Sequence, residues 1–193
     1  MTGHSIKPRW IILALIIFLA AMYRMVPLAF DVPALFNFSP IGAIALFGGG
    51  YFGRKYTAFV LPFLALWMSN LMIDNLFFAR YYDGFAWFTN WEVYFAFALI
   101  VVLGVWLLRK VSVLRLLGAS LSASILFFVV TNFFVWFSGT MYPKTAEGLF
   151  TCYVAAIPFF WNTVSGDLFF VSVLFGSFEW AQRSYPVLQL KKA

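Results

Sequence analysis

One histidine, one cysteine and seven carboxylates among 193 residues leave this chain few of the side chains that metal or hydrolytic chemistry uses. The histidine, His4, lies in the N-terminal tail, and no Cys/His or closely spaced carboxylate motif occurs. A metal site is therefore not expected, and neither a Ser-His-Asp nor a Cys-His mechanism can be assembled. Gly48-Gly49-Gly50 lacks the Lys-Ser/Thr that completes a phosphate-binding loop, which argues against ATP hydrolysis by this chain; energy would come from a partner or an ion gradient. The single cysteine, Cys152, excludes an intrachain disulfide and reads as a packing residue. No cofactor is expected, and there is no internal repeat, soluble linker or low-complexity segment.

Charge is also scarce. Only 10% of residues are charged against 64% hydrophobic, and the mean hydropathy is +0.91, the composition of an integral membrane protein. The net charge of +6 does not point to nucleic acid, because the basic residues stand in small clusters between apolar runs, where they act as topology signals. Residues 1–193 read as a single integral membrane domain, since about six spans of about 20 residues leave no room for a soluble one. The expected fold is all-α, a polytopic membrane bundle of about six transmembrane helices.

Six apolar runs can be drawn, at about 10–28, 39–53, 56–74, 92–108, 116–137 and 153–178. The first, after Lys7-Pro-Arg9, resembles a signal peptide but offers no clean small-x-small cleavage site, so it reads as an uncleaved helix. The second is short and carries Gly42, Gly48, Gly49, Gly50 and Gly53, which points to a tilted, partly re-entrant or closely packed helix, with close helix contact the preferred reading. Pro158, inside the sixth run, should kink that helix or mark its true beginning.

A cytoplasmic N-terminus would put Lys7, Arg9, Arg54, Lys55, Arg109, Lys110, Arg115, Arg183, Lys191 and Lys192 on one side, ten of the thirteen basic residues, and Arg24, Arg80 and Lys144 on the other. By the positive-inside rule both termini are then cytoplasmic and the number of spans is even. The long connections 75–91 and 138–152 would lie outside as candidate lids, rich in tryptophan and tyrosine that also suit an interfacial aromatic belt.

Polar residues inside the runs are few and costly there, so they are the candidate ligand contacts. Placed at 1.5 Å per residue, Asn70, Asn132 and Asn162 all lie roughly 21–24 Å above the cytoplasmic boundary, and Asp167 roughly 15 Å. Asn70 with Asp74, Asn132 with Trp136, and Thr163 with Asp167 are each four residues apart, on one helix face. The candidate set is Asn70, Asp74, Asn132, Trp136, Asn162 and Asp167: amides to orient a ligand, Trp136 to stack on it, and Asp167 as the floor of an outward-facing pocket with Thr163, an asparagine or water as its partner. The same asparagines could instead bond between helices and hold the bundle together.

The stretches Asn37-Phe-Ser-Pro-Ile-Gly-Ala-Ile-Ala-Leu-Phe-Gly-Gly49, Thr131-Asn-Phe-Phe-Val-Trp136, Tyr142-Pro-Lys-Thr145 and Asn162-Thr-Val-Ser-Gly-Asp167-Leu resemble an uncharacterised bacterial family of small integral membrane proteins, which implies no activity. The six-span plan, internal termini and the Ser-Asn-Leu-Met-Ile-Asp74 end of the third run are more distantly similar to the substrate-binding S subunits of energy-coupling-factor vitamin transporters, an analogy of hydropathy rather than motif. Here Ala14 is followed by Phe18 where such subunits often carry Ala-x-x-x-Ala for docking. These resemblances imply a vitamin-like small-molecule binding or uptake protein of the bacterial inner membrane, with lipid, a small-molecule ligand and an energising membrane partner as candidate partners and no nucleic acid. The alternative is a non-catalytic assembly or scaffold subunit. A minor enzymatic alternative, an intramembrane aspartyl protease, rests on Ser165-Gly166-Asp167 with Asp74 as second carboxylate, but Val164 stands where that motif has glycine.

Reporter fusions test the topology. A reporter active only outside the membrane is expected to be silent after Ala193 and active near Lys144; the reverse pattern would invert the orientation.

Overall fold

The computed structural model describes residues 8–52 and 55–188. His4, Lys7, Gly53, Arg54, Lys191 and Lys192 lie outside the described residues, as does the side chain of Lys55. The helices are α1 (Pro8–Tyr23), α2 (Val26–Ala29), α3 (Ile41–Tyr51), α4 (Lys55–Leu76), α5 (Trp91–Leu107), α6 (Val113–Ser138) and α7 (Ala146–Ser184), with no strand among the described residues. The chain is an all-α bundle with one principal helix per apolar run. Four stretches, Pro8–Ala29, Tyr56–Leu76, Val113–Ser138 and Ala146–Ser184, are long and apolar enough to cross a membrane; α3 and α5 are shorter apolar helices.

Two boundaries depart from the apolar runs. The first run breaks at Arg24, where α1 gives way to the four-residue α2 with Pro27 in its first turn. The last helix begins at Ala146 instead of 153 because Thr145 supplies an N-cap, its Oγ1 accepting from the Gly148 amide at 3.2 Å. Pro158 therefore lies well inside α7 and does not start it, and the loop expected over 138–152 shrinks to a short turn.

The centre of the bundle is α3. Its 11 residues span roughly 16 Å, about half a hydrocarbon core. Nine of them are buried, and the helix packs against α1, α4, α5, α6 and α7. Its glycines make this possible. A Cβ on Gly49 would stand 2.7 Å from the Val101 carbonyl oxygen and the Val105 nitrogen of α5, and one on Gly48 would stand 2.8 Å from the Ala58 carbonyl of α4. That carbonyl has lost its helical donor to Pro62, so proline and glycine occupy one contact between two backbones. Close helix contact is thus what the glycine-rich run provides.

Phe47, the largest buried side chain of α3, meets Phe175 and Phe178 of α7 edge-on at 5.2 and 5.8 Å, completing the core below the polar residues. Around this centre, large apolar side chains such as Leu15, Leu64, Ile125, Phe133 and Val173 are exposed on the outer faces of α1, α4, α6 and α7, the surface a bilayer would cover.

Gly49→Ala is expected to destabilise the protein by about 1–3 kcal/mol through overpacking against α5. Gly118→Ala, at a position with open space around it, should leave the protein unchanged or slightly more stable. Thermal unfolding of the two variants in one detergent provides the comparison.

Candidate functional site

A helix that starts inside an apolar bundle exposes backbone amides with no partner within the helix, and in such surroundings they must find one. The N-cap of α3 is Pro40, which has no side-chain acceptor. The need is met from α7: the amides of Gly42 and Ala43 hydrogen-bond to the carboxylate of Asp167, which is 1% exposed. Ser124 of α6 donates to Asp167 Oδ2 at 2.7 Å; the same hydroxyl lies 3.1 Å from the Ser120 carbonyl, so its one proton serves two acceptors and the carboxylate is the nearer. Ala119, Ser120, Ala123 and Ser124 are all buried, a small-residue stripe that lets α6 come this close.

The local sequence on both sides of the contact is fitted to it. A Cβ on Gly42 would stand 2.7 Å from Oδ2 of Asp167, and one on Gly166 would stand 2.9 Å from the backbone nitrogen of Ser39. Ser-Pro-Ile-Gly42 and Ser-Gly-Asp167 therefore interlock as one unit. Asn162, one turn before Gly166, donates through Nδ2 to the carbonyls of Ala34 and Phe36 at 3.2 and 3.0 Å and fastens the incoming loop to α7. Asn37 in that loop has φ 66°, a left-handed conformation that asparagine adopts more readily than most residues.

Beside this unit lies a cleft of about 370 Å³. Its polar lining comes from Arg24, Asn37, Ser39, Thr163 and Asp167, and its walls include Phe36, Phe38, Phe78, Phe127 and Phe159. Arg24 Nη1 donates to Ser69 Oγ at 2.5 Å. The Ser39 hydroxyl is shielded from solvent and has no hydrogen-bond partner among the described residues. A smaller cavity of about 160 Å³ adjoins it between α6 and α7, sharing Asn37, Phe127, Phe159 and Thr163 and adding Thr131 and Asn132. The cleft lies toward the ends of α1 and α4 that are joined by the Arg24–Ser69 bond, opposite the end where Arg9 meets Leu188.

Of the six expected contacts, Asp167 lines the larger cavity and Asn132 the smaller, its Nδ2 donating to the Phe128 carbonyl at 2.8 Å. The other four are occupied elsewhere. Asn70 is buried and donates to Tyr94 Oη at 3.0 Å, linking α4 to α5. Asp74 accepts a hydrogen bond from Thr89 and holds down the 75–91 connection, together with Asn75, whose side chain bonds both the amide and the carbonyl of Ala86. Trp136 donates to the Pro143 carbonyl at 2.8 Å, and Lys144 donates to the Trp136 and Gly139 carbonyls, a C-terminal cap for α6. Asn162 holds the first loop. Equal depth on three helices did not bring the asparagines to one opening, because depth leaves the direction around each helix axis undetermined.

Two further expectations are corrected by this geometry. The cleft is bordered by the first loop, residues 35–39, while the connections 75–91 and 138–152 proposed as lids are tied back onto their own helix ends, with only Phe78 reaching its lining. The protein partners of Asp167 are Ser124 and the start of α3, in place of Thr163 or an asparagine; Thr163 donates instead to the Phe159 carbonyl. Sequence reasoning missed Ser39 and Ser124, and it counted Arg24 only among the topology signals. The Ser-Pro-Ile-Gly context of Ser39 was the available signal.

Asp167→Ala is expected to cost about 2–4 kcal/mol, since it leaves the Gly42 and Ala43 amides unpartnered in an apolar interior and removes the nearer acceptor of the Ser124 hydroxyl. Asp167→Asn keeps an acceptor and should cost less than half as much. Chemical unfolding in mild detergent measures both, and equal losses would contradict the capping role.

Among the described residues no group of three His, Cys, Asp or Glu side chains is placed to hold a metal ion. No curated protein and no solved structure matches the chain. A family model does match, over residues 4–188, and so takes in the interlocked Ser-Pro-Ile-Gly and Ser-Gly-Asp segments along with nearly everything else. The chain belongs to DUF6580, a family of unknown function.

Proposed function

We propose that this protein is a membrane-embedded binding or uptake protein for a small, partly aromatic solute that carries an anionic group. The observation that carries the reading is the 370 Å³ cleft in which Arg24, Asp167 and the unpartnered Ser39 hydroxyl meet among phenylalanines. Its size falls in the usual range for small-molecule pockets, and its few polar groups among aromatic walls are the composition such pockets have. Arg24 would take the ligand's carboxylate or phosphate, since a guanidinium offers five donors of which one is spent on Ser69. Ser39 would add a hydrogen bond, and the rings of Phe36, Phe38 and Phe159 would cover the apolar part of the ligand. Asp167 keeps its structural bonds to α3 and acts as the floor.

With both termini cytoplasmic, as the distribution of basic residues requires, the cleft faces the outside of a bacterial inner membrane and would capture solute there. Passage inward would draw on an energising membrane partner, the role that the analogy to vitamin-transporter S subunits assigns; that analogy rests on hydropathy alone. An assembly subunit without a ligand is the second reading, favoured by Asn70, Asp74 and Asn162, all of which spend hydrogen bonds on the protein itself.

Mass spectrometry of small molecules retained by gently purified protein separates the two. A reproducible anionic, ring-bearing compound is expected. Ser39→Ala removes a hydroxyl that bonds nothing among the described residues, so it should leave thermal stability intact and weaken retention about fivefold, the worth of one hydrogen bond of about 1 kcal/mol. Absence of any retained compound, or retention indifferent to both Ser39→Ala and Arg24→Gln, would leave the assembly reading standing.

A further inference from the structure

At the opposite end of the bundle, where α1 begins and α7 ends, a second cavity of about 380 Å³ is lined by Arg9, Arg109 and Arg183 together with Tyr51, Glu179 and Gln182. The six side chains divide into two groups. Arg9 is 6% exposed and fully committed: its guanidinium donates to the Leu188 carbonyl at 2.5 Å, to Gln182 Oε1 at 2.9 Å and to the Tyr51 carbonyl at 3.4 Å, and it lies 5.0 Å from the centre of the Phe178 ring. Glu179 is likewise occupied, accepting from Tyr51 Oη at 2.5 Å and from Gln182 Nε2 at 3.3 Å. Arg109, just beyond the end of α5, and Arg183, in the last turn of α7, are exposed and have no hydrogen-bond or ion-pair partner among the described residues. Three guanidinium groups against one carboxylate leave the cavity with an excess of two positive charges, and both uncommitted cations stand at its rim.

A separate observation fixes the level of this cavity relative to a bilayer. Trp106 and Trp180 are 64% and 68% exposed, each three residues before one of the two free arginines; Trp180 and Arg183 lie on nearly the same face of α7, and Arg109 follows just past the end of α5, so both tryptophans stand deeper than the arginines. Exposed tryptophans at helix ends mark the boundary between hydrocarbon and headgroups, so the arginines further out stand where lipid phosphates lie. Basic pockets between helices at this depth on the cytoplasmic side are the kind that bind lipid headgroups.

We propose that this cavity is a binding site for the phosphate of an anionic glycerophospholipid, clamped between Arg109 and Arg183 over a floor preset by Arg9. The arrangement gives the phosphate two cationic donors, one just past the end of α5 and one in the last turn of α7, so an occupied site bridges the two helix ends. The chemistry requires only a phosphate group; the depth set by Trp106 and Trp180 identifies its carrier as a lipid of the surrounding leaflet and not a soluble ester. The site is independent of the outer cleft.

The test uses the full chain in nanodiscs of phosphatidylcholine containing a minor fraction of phosphatidylglycerol, with retained lipids identified by native mass spectrometry after release into mild detergent. Wild-type protein is expected to retain phosphatidylglycerol in preference to phosphatidylcholine. Arg109→Gln with Arg183→Gln should weaken that retention about thirtyfold, and Arg109→Lys with Arg183→Lys should restore most of it, because the attraction of an anionic surface is set chiefly by charge. The glutamine variant should unfold at the wild-type temperature in phosphatidylcholine alone, since neither arginine has a hydrogen-bond or ion-pair partner among the described residues. Equal retention of the two lipids by the wild type, or retention unaffected by the double glutamine change, would overturn the proposal. A parallel arm adds inorganic phosphate to phosphatidylcholine nanodiscs and follows its phosphorus NMR linewidth. No broadening is expected, and broadening without a preference for phosphatidylglycerol would overturn the assignment to lipid.

Discussion

A half-length helix held inside an apolar bundle must have both of its ends satisfied by other parts of the chain, and α3 is such a helix. Its amide end is closed by the Asp167 carboxyl group, an acceptor, and its carbonyl end is reached by Arg9, which donates to the Tyr51 carbonyl. Each side chain supplies what the helix end that it meets lacks. The glycines of α3, the prolines and serines of its neighbours and the crossing of the first loop over Gly166 all follow from bringing these two side chains to the ends of an 11-residue segment. Removing either side chain would leave backbone groups in a medium that offers no substitute.

The same arrangement divides the polar chemistry of the protein between two ends. Around the Asp167 end the chain leaves space, because a loop and not a full helix covers the start of α3, and that space is the cleft with Arg24 and Ser39 in its lining. Around the Arg9 end the polar side chains close on one another through Tyr51, Glu179 and Gln182, while further arginines remain at the rim. Between the two ends the contacts are aromatic and tight, as in the Phe47, Phe175 and Phe178 cluster, so that an apolar layer separates them among the described residues. A solute passing from one end to the other would have to displace α3 or move around it.

The apolar runs made the helices legible in the sequence, and the glycine content marked α3 as the closely packed one. Helix starts were less legible, since the α7 boundary follows the capping hydroxyl of Thr145 and not the onset of hydrophobicity. Asp167 stood out as a carboxylate in an apolar segment, but its partners did not, because Ser124 and Gly42 reach it only through tertiary folding. The three asparagines illustrate the limit most clearly: a count of residues gives depth along a helix, whereas their actual partners, Tyr94, Phe128 and the Ala34–Phe36 turn, depend on rotation and on loop paths that no single-helix pattern encodes. Arg24 is the converse case, a residue counted only among the topology signals that lies in the cleft because the first helix breaks beside it.

The capping of α3 by a residue about 125 positions later in the chain also bears on how the protein is made. At translation rates of about 5–20 residues per second, roughly 6–25 s separate the synthesis of Gly42 from that of Asp167. During that interval the first amides of α3 lack the Asp167 acceptor, and of the walls that bury it α6 is completed only late in the interval and α7 only after it. A segment of this length is too short to settle across the bilayer by itself. Its burial as seen in the structure therefore depends on the arrival of α7.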